Sequence, residues 1–289
     1  MPRETENMVG IINFFLNIIT LIKVKEFRQR LISTITLLFM FFIFFFLGNP
    51  FITILFCFLF SFTLLEFENL SSTLKKKLQL LKTLLLQIFL FFFTIFEIND
   101  YEIFPNFINN FVIFLFVSIL INLLFFMNKK INYIKTILSN LIILSFFSLI
   151  SILQQPNGLS MILYIVILVS VMDMFAYLGG KLLGKNKIIP KISKGKTIEG
   201  TFIGLLFIIV ISFLIKDLMN FNITSSIIYG LMIGVLAFFG DLIESIFKRD
   251  VGVKDSGRLI PGHGGLMDRL DGYFLVIPFF YLSINLAVI

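Results

Sequence analysis

The sequence predicts an all-α, polytopic membrane protein with about nine transmembrane helices and a cytoplasmic N-terminus. Three observations predict it. Hydrophobic residues make up 58% of the 289 positions and charged residues only 14%, where a soluble domain carries about a quarter charged residues. Mean hydropathy is +1.01, more apolar surface than a soluble fold can hide. The apolar residues fall into nine runs, each of a length to cross ~30 Å of hydrocarbon as a helix. The polar loops between the runs then alternate in charge, as they do when lysine and arginine collect on the cytoplasmic side.

The runs are 31–47, 50–66, 80–96, 107–127, 135–152, 159–180, 201–215, 224–243 and 273–289. Lys23, Lys25, Arg28 and Arg30 precede the first run, and the turn "GNP" at 48–50 is neutral. Lys75, Lys76, Lys77 and Lys82 follow the second run, and the acidic "EINDYE" at 97–102 follows the third. Lys129, Lys130 and Lys135 come next, then the neutral "QQPNG" at 154–158. Loop 181–200 holds six lysines, loop 216–223 one lysine and one aspartate, and loop 244–272 most of the remaining charge. Basic and non-basic loops alternate throughout, which puts the C-terminus outside.

Run 9–22 carries Gly10, Asn13, Asn17 and Thr20 along one helical stripe, with Lys23 and Lys25 after it. It reads as an interfacial helix within a cytoplasmic segment 1–30. No internal repeat or long polar segment divides the chain, so 1–289 is one integral-membrane domain. The net charge of +7 follows from topology, and no nucleic-acid partner is expected. The lone Cys57 lies in an apolar run, which excludes a disulfide framework. No cleavable secretory signal is expected at "MPRETEN".

Three acids, Asp173, Asp241 and Glu244, fall within or at the edge of spans. A charge at the centre of a span costs about 2.5–3.5 kcal/mol on insertion scales, so such residues face the protein interior and usually carry function. A helix end reaching back to water is the bland alternative. Asp173 and Asp241 both lie towards the cytoplasmic side, where the two most polar loops are.

From Asp241 the chain reads "DLIESIFKR". If the helix continues, Asp241, Glu244, Ser245 and Lys248 form one stripe, with Arg249 beside it. If "DRLDG" opens the ninth helix, Asp268 and Asp271 share a face. Between lies "GVKDSGRLIPGHGG", whose glycines suit a loop that brings backbone N–H groups to an anion. Hard oxygen ligands beside several cations suit Mg²⁺ and phosphates. One His and one Cys, far apart, make no zinc site. His263 in "GHGG" has no nucleophile elbow to serve, and on spacing alone a bland loop histidine is an equal reading. "GKT" at 195–197 ends like a P-loop, but Pro190 stands where that motif needs glycine. Topology and anionic lipid account for most lysines of loop 181–200.

The residues Ser245, Lys248-Arg249, Lys254-Asp255, Gly257, Ile260-Pro261, His263-Gly264-Gly265 and Asp268-Arg269-x-Asp271 together resemble the signature of the phosphatidate cytidylyltransferases (CDP-diacylglycerol synthases), with "GDLIES" at 240–245 before it. A second region is also similar: Asp173, Ala176-Tyr177, Gly180, Gly184-Lys185, Ser193, Lys196-Thr197 and Glu199-Gly200. It departs from the family pattern at Lys194, where proline is usual. The N-terminal half is similar in character only.

The resemblance implies a nucleotidyltransferase of phospholipid biosynthesis in a bacterial-type cytoplasmic (inner) membrane. CTP and phosphatidate would give CDP-diacylglycerol and pyrophosphate in a catalytic region, 173–272, facing the cytoplasm. It implies Asp241, Ser245, Lys248, Arg249 and Asp268 as catalytic residues. Asp241, Asp268 and Asp271 would hold Mg²⁺, with a second cation nearby. Asp173, Lys196, Thr197, Lys254, His263 and Arg269 would surround CTP and its phosphates. Membrane lipids and a second copy of the chain, as a homodimer, are the further implied partners. The phosphate monoester of phosphatidate is already anionic, so the protein's task is positioning and charge neutralisation. Two other readings compete. A CDP-alcohol phosphotransferase would need an Ala-Arg that "DGYFLV" lacks, and a transporter would more often show two related halves with broken helices.

Overall fold

The computed structural model describes Thr36 and residues 39–71, 133–193, 195–257 and 264–287. The expected spans 80–96 and 107–127, the interfacial run 9–22, and Lys194, Arg258 and His263 lie outside the described residues. The described elements are helical, with one isolated bridge between Lys187 and Thr197.

Residues 39–47 are helical and end at Gly48, whose φ of +94° turns the chain at the neutral "GNP" and favours glycine. Helix α1 follows (Asn49–Ser71), then α2 (Tyr133–Leu153), α3 (Gly158–Leu182) and α4 (Ile198–Leu214). A 3₁₀ turn (Lys216–Met219) leads to α5 (Ile223–Asp250), the short α6 (Met267–Leu270) and α7 (Tyr273–Ala287). Six of the expected runs thus appear as helices, five within about five residues of their expected bounds and the sixth, α5, extended by seven residues at its end. Residues Phe51–Leu70, α3 and α5 are long and apolar enough to cross a membrane; residues Ile137–Leu153 and α4 are shorter apolar helices.

Two boundaries differ from expectation in ways that shape the site. Helix α5 runs on to Asp250, so the stripe from Asp241 to Lys248 is realised. The segment "DRLDG" does not open the last helix. Met267–Leu270 is a separate turn of helix, and Asp271–Gly272 breaks it from α7. The break comes from close packing: a Cβ on Gly240 would stand 2.5 Å from the Asp271 carbonyl oxygen. Only glycine at 240 lets this backbone corner rest on α5.

The core is built of stacked phenylalanines and aliphatics. Phe60, Phe67, Phe146, Phe247, Phe274 and Phe280 are all buried, while Phe46, Phe58, Phe62 and Phe202 are exposed on outward helix faces, as in a protein solvated by lipid. Helix α3 pairs closely with α4. Phe175 stacks on Phe207 at 3.7 Å, and a Cβ on Gly200 would meet the Ala176 carbonyl at 2.5 Å.

Some buried polar groups of this core find partners, while the Ser148 and Ser151 hydroxyls of α2 have none. Pro278 lies inside α7 and has no N–H to give the Phe274 carbonyl four residues back. The Ser145 hydroxyl of α2 donates to that carbonyl at 2.7 Å. Tyr164 and Ser212 share a hydrogen bond of 2.7 Å, and Ser212 also donates to the Ser226 carbonyl.

Candidate active site

The ends of α1, α3 and α5 and the starts of α4 and α7 meet on one face, together with the described residues of 183–197, 251–257 and 264–272. The local structure explains how loop 183–197 presents its lysine. Lys187 and Thr197 form the isolated bridge, and the Ile188 amide donates to the Lys196 carbonyl at 3.1 Å. Glu199 accepts from the Lys185 amide at 3.1 Å and from the Asn186 side chain at 2.9 Å. Thr197 caps α4, accepting from the Gly200 amide at 3.1 Å. Lys196, thus held, extends over the Phe238 ring, 4.9 Å from its centre, and reaches Asp241 at 2.9 Å.

On α5, Ser245 donates to the other oxygen of Asp241 at 3.2 Å. One turn on, Glu244 is fully buried and paired with Lys248 at 2.5 Å. Lys248 also donates to Asp268 at 2.7 Å. Asp268 is the most heavily bonded acid of the face. Its oxygens accept from the Ser256 amide (2.9 Å to Oδ2) and the Gly265 amide (2.8 Å). A left-handed Gly264, φ +88°, turns the chain just ahead of that Gly265 amide. Burial pushes the Asp268 carboxyl upward, but the Lys248 hydrogen bond and charge and the two amides outweigh it, and the group sits below the usual carboxylate range.

The carboxylates of Asp241, Glu244 and Asp271 converge, with one oxygen from each within 4.8 Å of the others. Glu244 Oε1 is buried and accepts no hydrogen bond. Burial holds the Asp271 carboxyl well above the usual range, and the charges of Asp241, Glu244 and Asp173 add to it. Asp173 on α3 lies within electrostatic range of Asp241, Lys196 and Arg269. In this cluster five carboxyl groups, of Asp173, Asp241, Glu244, Asp268 and Asp271, face three cationic side chains, Lys196, Lys248 and Arg269. Converging hard oxygens, an orphaned buried carboxylate atom and a surplus of carboxyl groups over cations fit a divalent cation that prefers oxygen.

Beside the acids lies an apolar cavity of about 230 Å³, lined by Phe56, Phe60, Ile162, Val166 and Ile277 among others, with Ser170, Arg269 and Tyr273 as its polar lining. Tyr273 lies beside Ser170 and near Asp173 and Asp271, so the cavity adjoins the charged cluster.

Several sequence-predicted residues therefore come together: Asp173, Lys196, Asp241, Ser245, Lys248, Asp268, Arg269 and Asp271. Others stand apart or are otherwise engaged. Arg249 is exposed and ties the end of α5 to the Ile192 carbonyl at 3.0 Å and the Val253 carbonyl at 2.7 Å. Thr197 spends its hydroxyl on the helix cap. Lys254 is exposed on the loop, and His263 lies outside the described residues. Asp268 and Asp271 stay three residues apart across one helical turn, since Asp271 keeps helical dihedrals, and both come up to Glu244: Asp268 through the shared Lys248, Asp271 within the carboxylate cluster. The glycine loop does bring amides to an anion, and that anion is the chain's own Asp268.

Two acids at this site escaped the sequence reading as site residues. Glu244 lay on the identified stripe but was not assigned as a ligand; its spacing from Asp241 was signal enough. Glu66 closes the expected second span, where an acid looks like a boundary charge. It is buried and accepts from the Met267 amide at 2.9 Å and from Ser256 at 3.2 Å, contacts that no spacing rule reaches.

Known proteins resemble the chain in the same terms. The model of the cytidylyltransferase family matches residues 28–287. The phosphatidate cytidylyltransferase of Haemophilus influenzae is 44% identical over 130 residues, covering 43% of this chain and 45% of that protein. The phosphatidate cytidylyltransferase of Staphylococcus aureus is 44% identical over 126 residues, 43% of this chain and 48% of that protein. Protein YnbB of Escherichia coli K12 is 42% identical over 130 residues, 45% of this chain and 44% of that protein. The chain thus spans about half the length of the curated relatives it matches. With the family model covering nearly the whole sequence and its signature residues gathered on one face of the helices, the chain belongs to the cytidylyltransferase family.

Proposed function

We propose that this protein transfers the cytidylyl group of CTP to phosphatidate. A phosphate oxygen of phosphatidate bonds to the α-phosphorus of CTP, the bond from that phosphorus to the bridging oxygen of the β-phosphate breaks, and pyrophosphate leaves with the electron pair. CDP-diacylglycerol remains in the membrane. The observation that carries this reading is a juxtaposition: converging carboxylates and lysines at the helix ends, directly beside an apolar cavity edged by Arg269. A nucleotide needs the first, an acyl chain fits the second, and an anionic headgroup between them suits the arginine.

In this reading Asp241, Glu244 and Asp271 hold Mg²⁺, with Asp268 on the adjoining shell and a second cation nearby. The metal supplies charge neutralisation to the triphosphate. Lys196 and Lys248, which pair with Asp241 and Glu244, would be the cationic partners of the substrate phosphates. Ser245 orients Asp241. Asp173, Thr197, Lys254, His263 and Arg269 complete the surroundings of CTP and headgroup, and Arg249 fixes the loop against α5. The attacking phosphate is already an anion, so no protein base is required; alignment and electrostatics supply the rate.

The same reading takes residues 1–289 as one integral-membrane domain of nine spans in the cytoplasmic membrane, with the N-terminus and region 173–272 facing the cytoplasm. The charge alternation of the loops supports it, as does the meeting of the described residues of 183–197, 251–257 and 264–272 on one face. The family resemblance supports a homodimer. Single cysteines replacing Lys187 and Asn157 in a Cys57→Ala background label from opposite sides of the membrane if the span count is right; labelling from the same side removes it. The activity itself is tested with the purified full chain, CTP, phosphatidate and Mg²⁺. The expected product is a CTP-dependent liponucleotide with stoichiometric pyrophosphate. Formation of lipid product from a CDP-linked donor without CTP would point to a phosphotransferase instead.

A further inference from the structure

We infer that Glu66, on α1 and far in sequence from the signature, is a positioning residue that fastens the signature loop; the inference rests on the cytidylyltransferase reading for its consequence, though not for its geometry. Glu66 is 6% exposed. Its Oε2 accepts from the Met267 amide at 2.9 Å and the Ser256 hydroxyl at 3.2 Å. Those two donors flank the two amides, of Ser256 and Gly265, that hold Asp268. One carboxylate from α1 therefore grips both strands of the loop that a second carboxylate, Asp268, cross-links from within. Asp268 in turn fixes Lys248, which fixes Glu244.

The loop glycines carry the imprint of this clamp. A Cβ on Gly257 would stand 2.5 Å from Glu66 Oε1, and one on Gly265 would stand 2.5 Å from Glu66 Oε2. Gly257 is not in the left-handed region, so its backbone does not demand glycine. The nearest obstacle to a side chain there is Glu66 itself, with Gly265 Cα next at 3.4 Å. Gly257 is thus small because a buried acid from another helix lies on it, whereas Gly265 is also hemmed in by Ser256 Oγ and by the Gly257 amide nitrogen, the latter 2.8 Å from such a Cβ. Glu66 Oε1 accepts no hydrogen bond; it is held over Gly257 by the bonds that Met267 and Ser256 make to the other oxygen of the same carboxylate.

The test is a double-mutant cycle on the full chain in detergent–lipid micelles. Glu66→Ala should lower kcat for CTP with phosphatidate at least tenfold while KM for CTP stays within about threefold, and Glu66→Gln, which keeps an acceptor for Met267, should recover most of the loss. Gly257→Ala alone should lower kcat at least tenfold. In the Glu66→Ala background the same change should cost less than threefold, because the clash is gone; such non-additivity marks direct contact. Hydrogen exchange at the Met267 amide should rise in Glu66→Ala while α4 is unchanged. Glu66→Ala with wild-type kcat, additive costs for the pair, or unchanged exchange at Met267 each overturns the inference. A wild-type chain without CTP-dependent turnover refutes the activity, and the exchange arm then still decides whether the clamp exists.

Discussion

Two sets of buried polar groups sit within one helical bundle and are treated differently by it. Around Ser145, Tyr164 and Ser212 every partner is neutral and the named hydroxyls are used: Ser145 replaces the N–H that Pro278 cannot give, and Tyr164 and Ser212 satisfy each other. At the face of Asp241, Glu244 and Asp271 the groups are charged, acids outnumber cations, and Glu244 Oε1 is buried without a hydrogen bond. A buried polar atom without a partner costs about 1–3 kcal/mol, more when charged. The first set is finished as a structure. The second keeps an unpartnered carboxylate oxygen and a crowd of acids, which on the proposed reading cations and substrate phosphates would complete.

Breaking the second set should cost activity first. Asp241→Asn keeps the oxygen that Ser245 contacts and removes one charge from a carboxylate that is one-third exposed. Turnover should fall at least a hundredfold, about 2.7 kcal/mol of transition-state stabilisation, with the thermal midpoint little changed. Asp268→Asn should lose as much turnover and also lower the midpoint, since an amide –NH₂ faces the Ser256 and Gly265 donors. Equal midpoints for the two variants would mean that the amides do not hold Asp268. Next comes Lys248→Ala, which unpairs the buried Glu244 and removes a phosphate partner. A charged hydrogen bond is worth about 1.5–3 kcal/mol, so a ten- to hundredfold loss of turnover is expected. Turnover within twofold of wild type would reduce Lys248 to a structural counter-ion.

The first set should show the opposite signature. Ser145→Ala leaves the Phe274 carbonyl without a donor and should cost about 1–3 kcal/mol of stability, seen as a lower denaturation midpoint, with turnover per folded molecule unchanged. A fall in turnover without loss of stability would erase the distinction between the two regions. The smallest effect should be at Asp250, at the exposed end of α5. Asp250→Asn removes a solvent-screened charge, worth well under about 1 kcal/mol, and should leave turnover within twofold.

This contrast also marks what the sequence could reveal. Six spans were legible because apolar runs bounded by charged loops leave little choice of register in a membrane. The stripe Asp241–Glu244–Ser245–Lys248 was legible because helical spacing alone puts these residues on one face, given that the helix continues. Contacts between distant segments were not legible. The close seat of the Asp271 carbonyl on α5 needs Gly240, and Glu66 meets Ser256 from 190 positions away. Thr197 illustrates the reverse: a residue of the family pattern whose hydroxyl is engaged in capping α4.

The account rests most directly on the fate of the phosphates of CTP. Purified protein with phosphatidate and Mg²⁺ should be given CTP labelled at the α-phosphorus in one vial and at the γ-phosphorus in another, and the lipid extracted with organic solvent. The account predicts α-label in the lipid fraction, γ-label in aqueous pyrophosphate, and neither transfer in Asp241→Asn. Label from the γ-position in the lipid, or no lipid label from either, would contradict it.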